Sequence, residues 1–142
     1  MGSRRLGRTI AFQTLYRYDL AQASLDELLD FSWLDERKRA SRDQEALAFA
    51  RLIIQGTLEN LSPIDEAIKD QLEHWEFERI SRIDCAILRI SVYCLLYQPD
   101  IPVSVTIDEA VQLAKIFGTD DSYRFVNGVL DALVKKRKLG QY

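Results

Sequence analysis

Residues 78–98 read ERISRIDCAILRISVYCLLYQ. Drawn as a helix, this stretch carries apolar side chains nearly all the way round, whereas a surface helix keeps one polar face. It is therefore predicted to be a helix enclosed by others, stopped by Pro99 and Pro102, which lack the N–H that a continuing helix needs. An enclosed helix requires neighbours on several sides. The flanking segments supply them.

Upstream, Gly7, Ile10, Ala11, Thr14, Leu15 and Tyr18 recur at three- and four-residue spacing, which marks an amphipathic first helix. LDELLDF (25–31) reads as a short second helix, and WLDERKRASRD (33–43) as a charged connection. Ser41 with Gln44 forms a capping-box pattern that opens a long helix with the stripe Ala46, Phe49, Ala50, Ile53, Thr57 and Leu61. Ser62 and Pro63 repeat a start signal for IDEAIKDQL, and HWEFE (74–78) makes an aromatic and acidic joint.

Downstream, Thr106 and Glu109 form a further capping box for TIDEAVQLAKIF, with Gly118 as its stop. Asp120 or Asp121 is expected to cap the last helix, whose apolar face is Tyr123, Val126, Val129, Leu130 and Leu133 before KKRK (135–138). Asn127-Gly128 inside that helix implies close packing of another helix, since glycine there is otherwise a liability of about 1 kcal/mol. No stretch alternates as a strand does. The expectation is an all-α, two-subdomain bundle of about seven helices in one domain, 1–142, with an N-terminal half over about 1–72 and a C-terminal half over about 78–138.

The 142 residues are 47% hydrophobic and 29% charged with three prolines, which fits an ordered globule and not a disordered tail. No apolar run approaches the roughly twenty residues that span a bilayer, and the start is too basic for a signal-peptide core, so a cytoplasmic protein without membrane contact is expected. Cys85 and Cys94 lie nine positions apart on one helix, on opposite sides and roughly 13 Å apart along its axis. They cannot bridge each other. His74 is the one histidine, and no CxxC or HxxxH spacing exists, so no metal site is expected.

The net charge of −3 conceals an asymmetry. Arg4, Arg5, Arg8 and Arg17 stand in the first eighteen residues without one acid, KKRK adds four more cations, and the middle is strongly acidic. A basic patch on an acidic body suits a selective polyanion binder. At 100° per residue Arg5, Arg8, Phe12 and Tyr16 share an arc of about 80°, beside the apolar stripe. Such a ledge would offer guanidinium forks to phosphates and rings to unpaired bases. The competing reading packs both rings into the core and leaves the arginines solvated.

GTDDSYRFVNGVLD (118–131) is a second feature, a loop entering a helix with Arg124 and Phe125 in its first turn. Free N–H groups there can hold phosphate, but Asp120 and Asp121 repel an anion and suit capping better. Catalysis finds little support. There is no GxGxxG, GxxxxGK[ST] or GxSxG, neither cysteine has a histidine partner, and Glu73, Glu76 and Glu78 around His74 read as a solvated joint. No catalytic residue, cofactor or enzymatic activity is expected.

Three segments carry a resemblance: RRLGRTIAFQTLY (4–16), RIDCAILRISVYCLLY (82–97) and VSVTIDEAVQLAKIFGTDDSYRFVNGVLDALV (103–134). In order and spacing they resemble the NusB family of bacterial transcription antitermination factors over nearly the whole chain, the region from about Asp30 to Gln44 excepted. The resemblance implies an all-helical fold of two halves. It implies binding to the boxA element of ribosomal RNA leaders together with a small-subunit ribosomal protein, NusE, and assembly with other Nus factors on RNA polymerase so that terminators are read through. By matched position it assigns Arg4, Arg5, Arg8, Lys115, Asp121 and Phe125 to RNA, and Tyr16, Glu78 and Asp84 to the protein partner.

In that light Asp121 would accept from a base edge, and Tyr16 would serve the protein and not a base. Gly7 departs from the family pattern and implies a weakened first turn, with arginines disordered until RNA is present. The rival expectation is a helical protein-interaction adaptor without intrinsic RNA specificity, or a homodimer that hides the ledge.

Overall fold

The computed structural model describes residues 2–21, 24–31, 43–73 and 76–140. Among these are seven α-helices and no strand: α1 (Ser3–Ala21), α2 (Leu25–Leu29), α3 (Gln44–Glu59), α4 (Leu61–Lys69), α5 (Arg82–Tyr97), α6 (Val103–Phe117) and α7 (Ser122–Arg137). A 3-10 turn over Phe77–Arg79 leads into α5. His74 and Ser41 lie outside the described residues.

The enclosed helix is α5. Ten of its residues are buried, Ile87, Leu88 and Val92 completely, and it touches α1, α3, α4, α6 and α7. Ser81 caps it, its hydroxyl accepting from the Asp84 N–H at 3.1 Å, so the helix begins at Arg82, four residues after Glu78, and Glu78 sits in the 3-10 turn. α1 packs chiefly along α3 and against α5 through Ile10, Ala11, Thr14 and Leu15. Buried residues of α1 and α3 through α7 form one continuous core.

Several helix starts differ from the sequence reading. Asp43 caps α3 by accepting from the Glu45 N–H at 2.8 Å, two residues past Ser41. α4 opens at Leu61 without a side-chain cap, because Asn60 turns back to donate to the Gly56 carbonyl at the end of α3. α6 opens at Val103 after Pro102, so Thr106 is an interior, buried residue and not a cap. Asp121 occupies the cap position of α7 but makes no cap bond with its side chain; Ser122 Oγ instead accepts from the Thr119 N–H at 3.0 Å.

The glycines also change roles. A Cβ on Gly128 would meet nothing within 4 Å, which corrects the expectation of close packing there. Gly56, inside α3, is close-packed, its vacant Cβ position filled by the Tyr93 ring. Gly7 is buried where α1 crosses α3, and a Cβ would stand 2.8 Å from the Ala46 carbonyl oxygen. Gly7 therefore permits helix contact, and Arg4, Arg5 and Arg8 lie within a regular helix that begins at Ser3. The disordered start expected from Gly7 is not observed.

Candidate nucleic-acid interface

The three matched arginines occupy three different environments. Arg5 is exposed and forks onto Glu109 of α6, Nε to both carboxylate oxygens at 3.1 Å and Nη2 to Oε1 at 3.0 Å. The hydrogen bond and charge of Glu109 raise the Arg5 guanidinium above its ordinary value. Arg4 is exposed and lies 5.1 Å from the centre of the Phe49 ring. Arg8 shares that ring at 5.3 Å but is only 7% exposed, its Nε has no hydrogen-bond partner, and burial lowers its pKa.

Arg4, Arg5 and Arg8 line a groove with Gly2, Asp100, Ile101, Pro102, Val105 and Glu109. Cations here oppose the positive pole of α1, whose own first turn contains no acid; the carboxylate at that end is Asp43, at the start of α3, which accepts from the Ser3 hydroxyl. The ledge read from the sequence is corrected in part: Phe12 is buried and packs on Phe117 at a centroid distance of 5.0 Å, and Arg8 is covered rather than solvated. Of the four residues on the 80° arc, Arg8 and Phe12 lie on the buried side of α1 and not beside it. The arc could not show that Phe49 and Phe117 roof part of it.

Phe125 and Asp121 line a separate groove with Arg79, Ile80, Ser81, Asp84, Thr119 and Ser122. Asp84, matched to the protein partner, thus stands beside two residues matched to RNA, and its Oδ1 is buried without a hydrogen bond. Tyr16 faces the next groove, with Gln13, Arg17, Leu20, Ile83 and Phe117; Leu20 is 53% exposed there. Lys115 lies outside these grooves, exposed, 5.2 Å from the Tyr123 ring. Arg124 covers the same ring at 5.4 Å and donates through Nε to its hydroxyl at 3.0 Å.

A network missed by sequence reading holds this end together. Arg89, 11% exposed, donates to both oxygens of Asp65 at 2.9 and 3.0 Å and lies 3.9 Å from Asp19, which Arg82 also approaches. Burial alone would lower the Arg89 pKa, but the Asp65 hydrogen bond and neighbouring negative charge raise it overall. The end of α1, α4 and α5 are thereby tied beside the Tyr16 groove. Only tertiary proximity reveals it, since Asp19, Asp65 and Arg89 carry no local signature.

Residues 5–135 match the NusB family. The chain belongs to that family. The transcription antitermination protein NusB of Treponema denticola is 48% identical over 133 residues, covering 94% of this chain and 96% of that protein. The NusB of Myxococcus xanthus is 42% identical over 131 residues, covering 92% and 94%. Among solved structures, NusB of T. maritima superposes with a TM-score of 0.83 at 40% identity, over 96% of this chain and 92% of that one. A chain from a complex of antitermination factors NusB and NusE with double-stranded RNA superposes at 0.84 with 25% identity, over 96% and 98%. Among the described residues of this NusB-family chain there is no cluster of metal-ligating side chains, and no helix is long and apolar enough to cross a membrane.

Proposed function

We propose that this chain is a non-enzymatic transcription antitermination factor that binds boxA RNA of ribosomal RNA leaders with the ribosomal protein NusE. In this reading it works among other Nus factors on RNA polymerase, allowing terminators to be read through. Family membership supports the class, and the solved complex of related NusB and NusE with RNA supports the two ligands. The observation that carries the RNA reading is the placement of Arg4 and Arg5 on an acid-free first turn, at the end of the helix that disfavours them. A phosphate backbone would repay that arrangement by releasing its own counterions.

Glu109 holds the Nε and Nη2 edge of Arg5, which orients the guanidinium and leaves its Nη1 corner for a phosphate oxygen. Phe125 and Asp121 supply a ring edge and an uncommitted carboxylate for unpaired bases, with Lys115 as a further phosphate contact. Arg8 acts from beneath, its buried stem shaping the groove. On the neighbouring face Tyr16 and exposed Leu20 offer an apolar surface to the protein partner, with Asp84, which lines the Phe125 groove, and Glu78, in the 3-10 turn, as the further partner contacts.

That apolar groove also favours the second reading, an adaptor that meets RNA only through its partner. Titration of the isolated chain with labelled boxA RNA and a scrambled RNA over a salt series separates the two. The direct binder prefers boxA without NusE, and Arg4→Ala/Arg5→Ala flattens its logarithmic salt slope by about 0.7 per lost contact. Equal, weak binding of both RNAs until NusE is added would establish the adaptor.

A further inference from the structure

Lys136 and Arg137 end α7 and Lys138 caps it, and the function proposed above does not use them. In sequence they stand at the opposite end of the chain from Arg4 and Arg5. The fold brings the two groups to one end of the bundle. α1 runs alongside α6 in the same direction, since Arg5 meets Glu109 and, two turns further along both helices, Phe12 meets Phe117. α7 returns the other way, so its end reaches the beginning of α6: a Cβ on Gly140 would stand 2.9 Å from Val103 Cγ2. Pro102 and Val105, on either side of Val103, line the groove of Arg4 and Arg5.

The basic end of α7 is also pinned. Lys138 adopts a left-handed conformation, the Leu139 N–H donates to the Val134 carbonyl at 3.0 Å, and the Leu139 side chain packs on the core. Lys135 is paired with Asp131 at 2.9 Å, whereas Lys136, Arg137 and Lys138 are exposed and make no ion pair with a described carboxylate. A helix C-terminus attracts cations, but that attraction fades within a turn, and three uncompensated neighbours repel one another. The acids close to the groove are few. Glu109 is committed to Arg5, which leaves Asp100 as the carboxylate lining it without an ion pair.

We propose that Lys136, Arg137 and Lys138 continue the phosphate track begun by Arg4 and Arg5, so that the RNA strand passes over the start of α6 to the end of α7. The idea rests on the RNA-binding reading and adds a direction and a length to it. The flanking strand would be held by charge and without base stacking, since these residues carry no ring.

The test uses the full chain and two labelled RNAs, the boxA element alone and the same element lengthened by about six nucleotides on each side. On the long RNA, Lys136→Ala/Arg137→Ala should flatten the salt slope by up to about 1.4, while on the short RNA it matches the parent. Arg4→Ala/Arg5→Ala should flatten both. The charge-keeping variant Lys136→Arg/Arg137→Lys should retain the parent slope. If only Arg4→Ala/Arg5→Ala changes the slopes, the track is overturned and the RNA reading survives; if neither variant changes either slope, both fall. A lowered melting temperature with unchanged slopes would reduce these residues to helix-end stabilisers and overturn the track as well.

Discussion

Gly56→Ala and Gly128→Ala make the same chemical change inside two helices and should move stability in opposite directions. At Gly56 the new methyl would overlap Cε1, Cζ and the hydroxyl of Tyr93. That ring is only 5% exposed, is stacked on Tyr97 at 5.6 Å, and accepts a hydrogen bond from Gln98 Nε2 at 2.9 Å. A shift of a few tenths of an ångström does not relieve such an overlap, so the core is overpacked by about 3 kcal/mol, the upper end of the usual range, and by more if the ring is expelled. Alanine returns about 1 kcal/mol of helix propensity. The net loss is about 2 kcal/mol, or about 6–10 °C in melting temperature for a chain of this length. At Gly128 nothing opposes the methyl, so the propensity gain stands alone and the melting point rises by about 3–5 °C. Thermal and urea melts of both variants read this directly. Adding Tyr93→Leu to Gly56→Ala should cost less than the two changes summed, because the smaller side chain makes room. A Gly56→Ala protein as stable as the parent, or a Gly128→Ala protein that falls alongside it, would refute the assigned packing.

Arg8→Met removes a buried guanidinium while keeping most of its stem, so stability should hold or rise by up to about 2 kcal/mol; a urea melt showing a loss above about 1 kcal/mol contradicts this. Ser81→Ala should cost about 1 kcal/mol by uncapping α5, and an unchanged midpoint would mean that water replaces the cap. Burial pushes the Cys85 and Cys94 thiols up to about 11, so at pH 8 an alkylating reagent should label native protein at least about a hundredfold more slowly than unfolded protein. Because these folded values exceed the ordinary 9.0, the preference for neutral thiols supports folding fully below that pH and is lost as pH rises through about 11. Glu109→Gln should weaken RNA binding, because Arg5 loses the fork that aims its Nη1 corner; tighter binding would show that Glu109 competes with phosphate and overturn the orienting role.

The helices were legible because their apolar faces repeat at the helical period, and α5 was legible because it lacks a polar face. Their beginnings were harder to read. Thr106 with Glu109 has the pattern of a capping box, yet α6 starts at Val103, Thr106 is buried and Glu109 reaches Arg5. Local pattern and tertiary demand compete for the same residues, and packing prevailed. Angular position put Arg8 beside the core stripe, but its cover comes from Phe49 on another helix, which no single-helix projection includes. The sequence reading assigned close packing to Gly128 and passed over Gly56, because only the partner helix distinguishes the two. The grooves around Tyr16, Asp84 and Phe125 required family resemblance, since nothing local joins residues from α1, α5 and α7.

α1 carries a final consequence. This single stiff rod of 19 residues bears Arg4 and Arg5 at one tip and Tyr16 about 16 Å further along, while its middle is the spine of the core. A rod clamped over its middle has no second shape to relay from one tip to the other. If a nucleic acid and a protein settle on it together, their mutual reinforcement has to arise where those two ligands touch each other. The helix then acts as a fixed ruler that sets their separation.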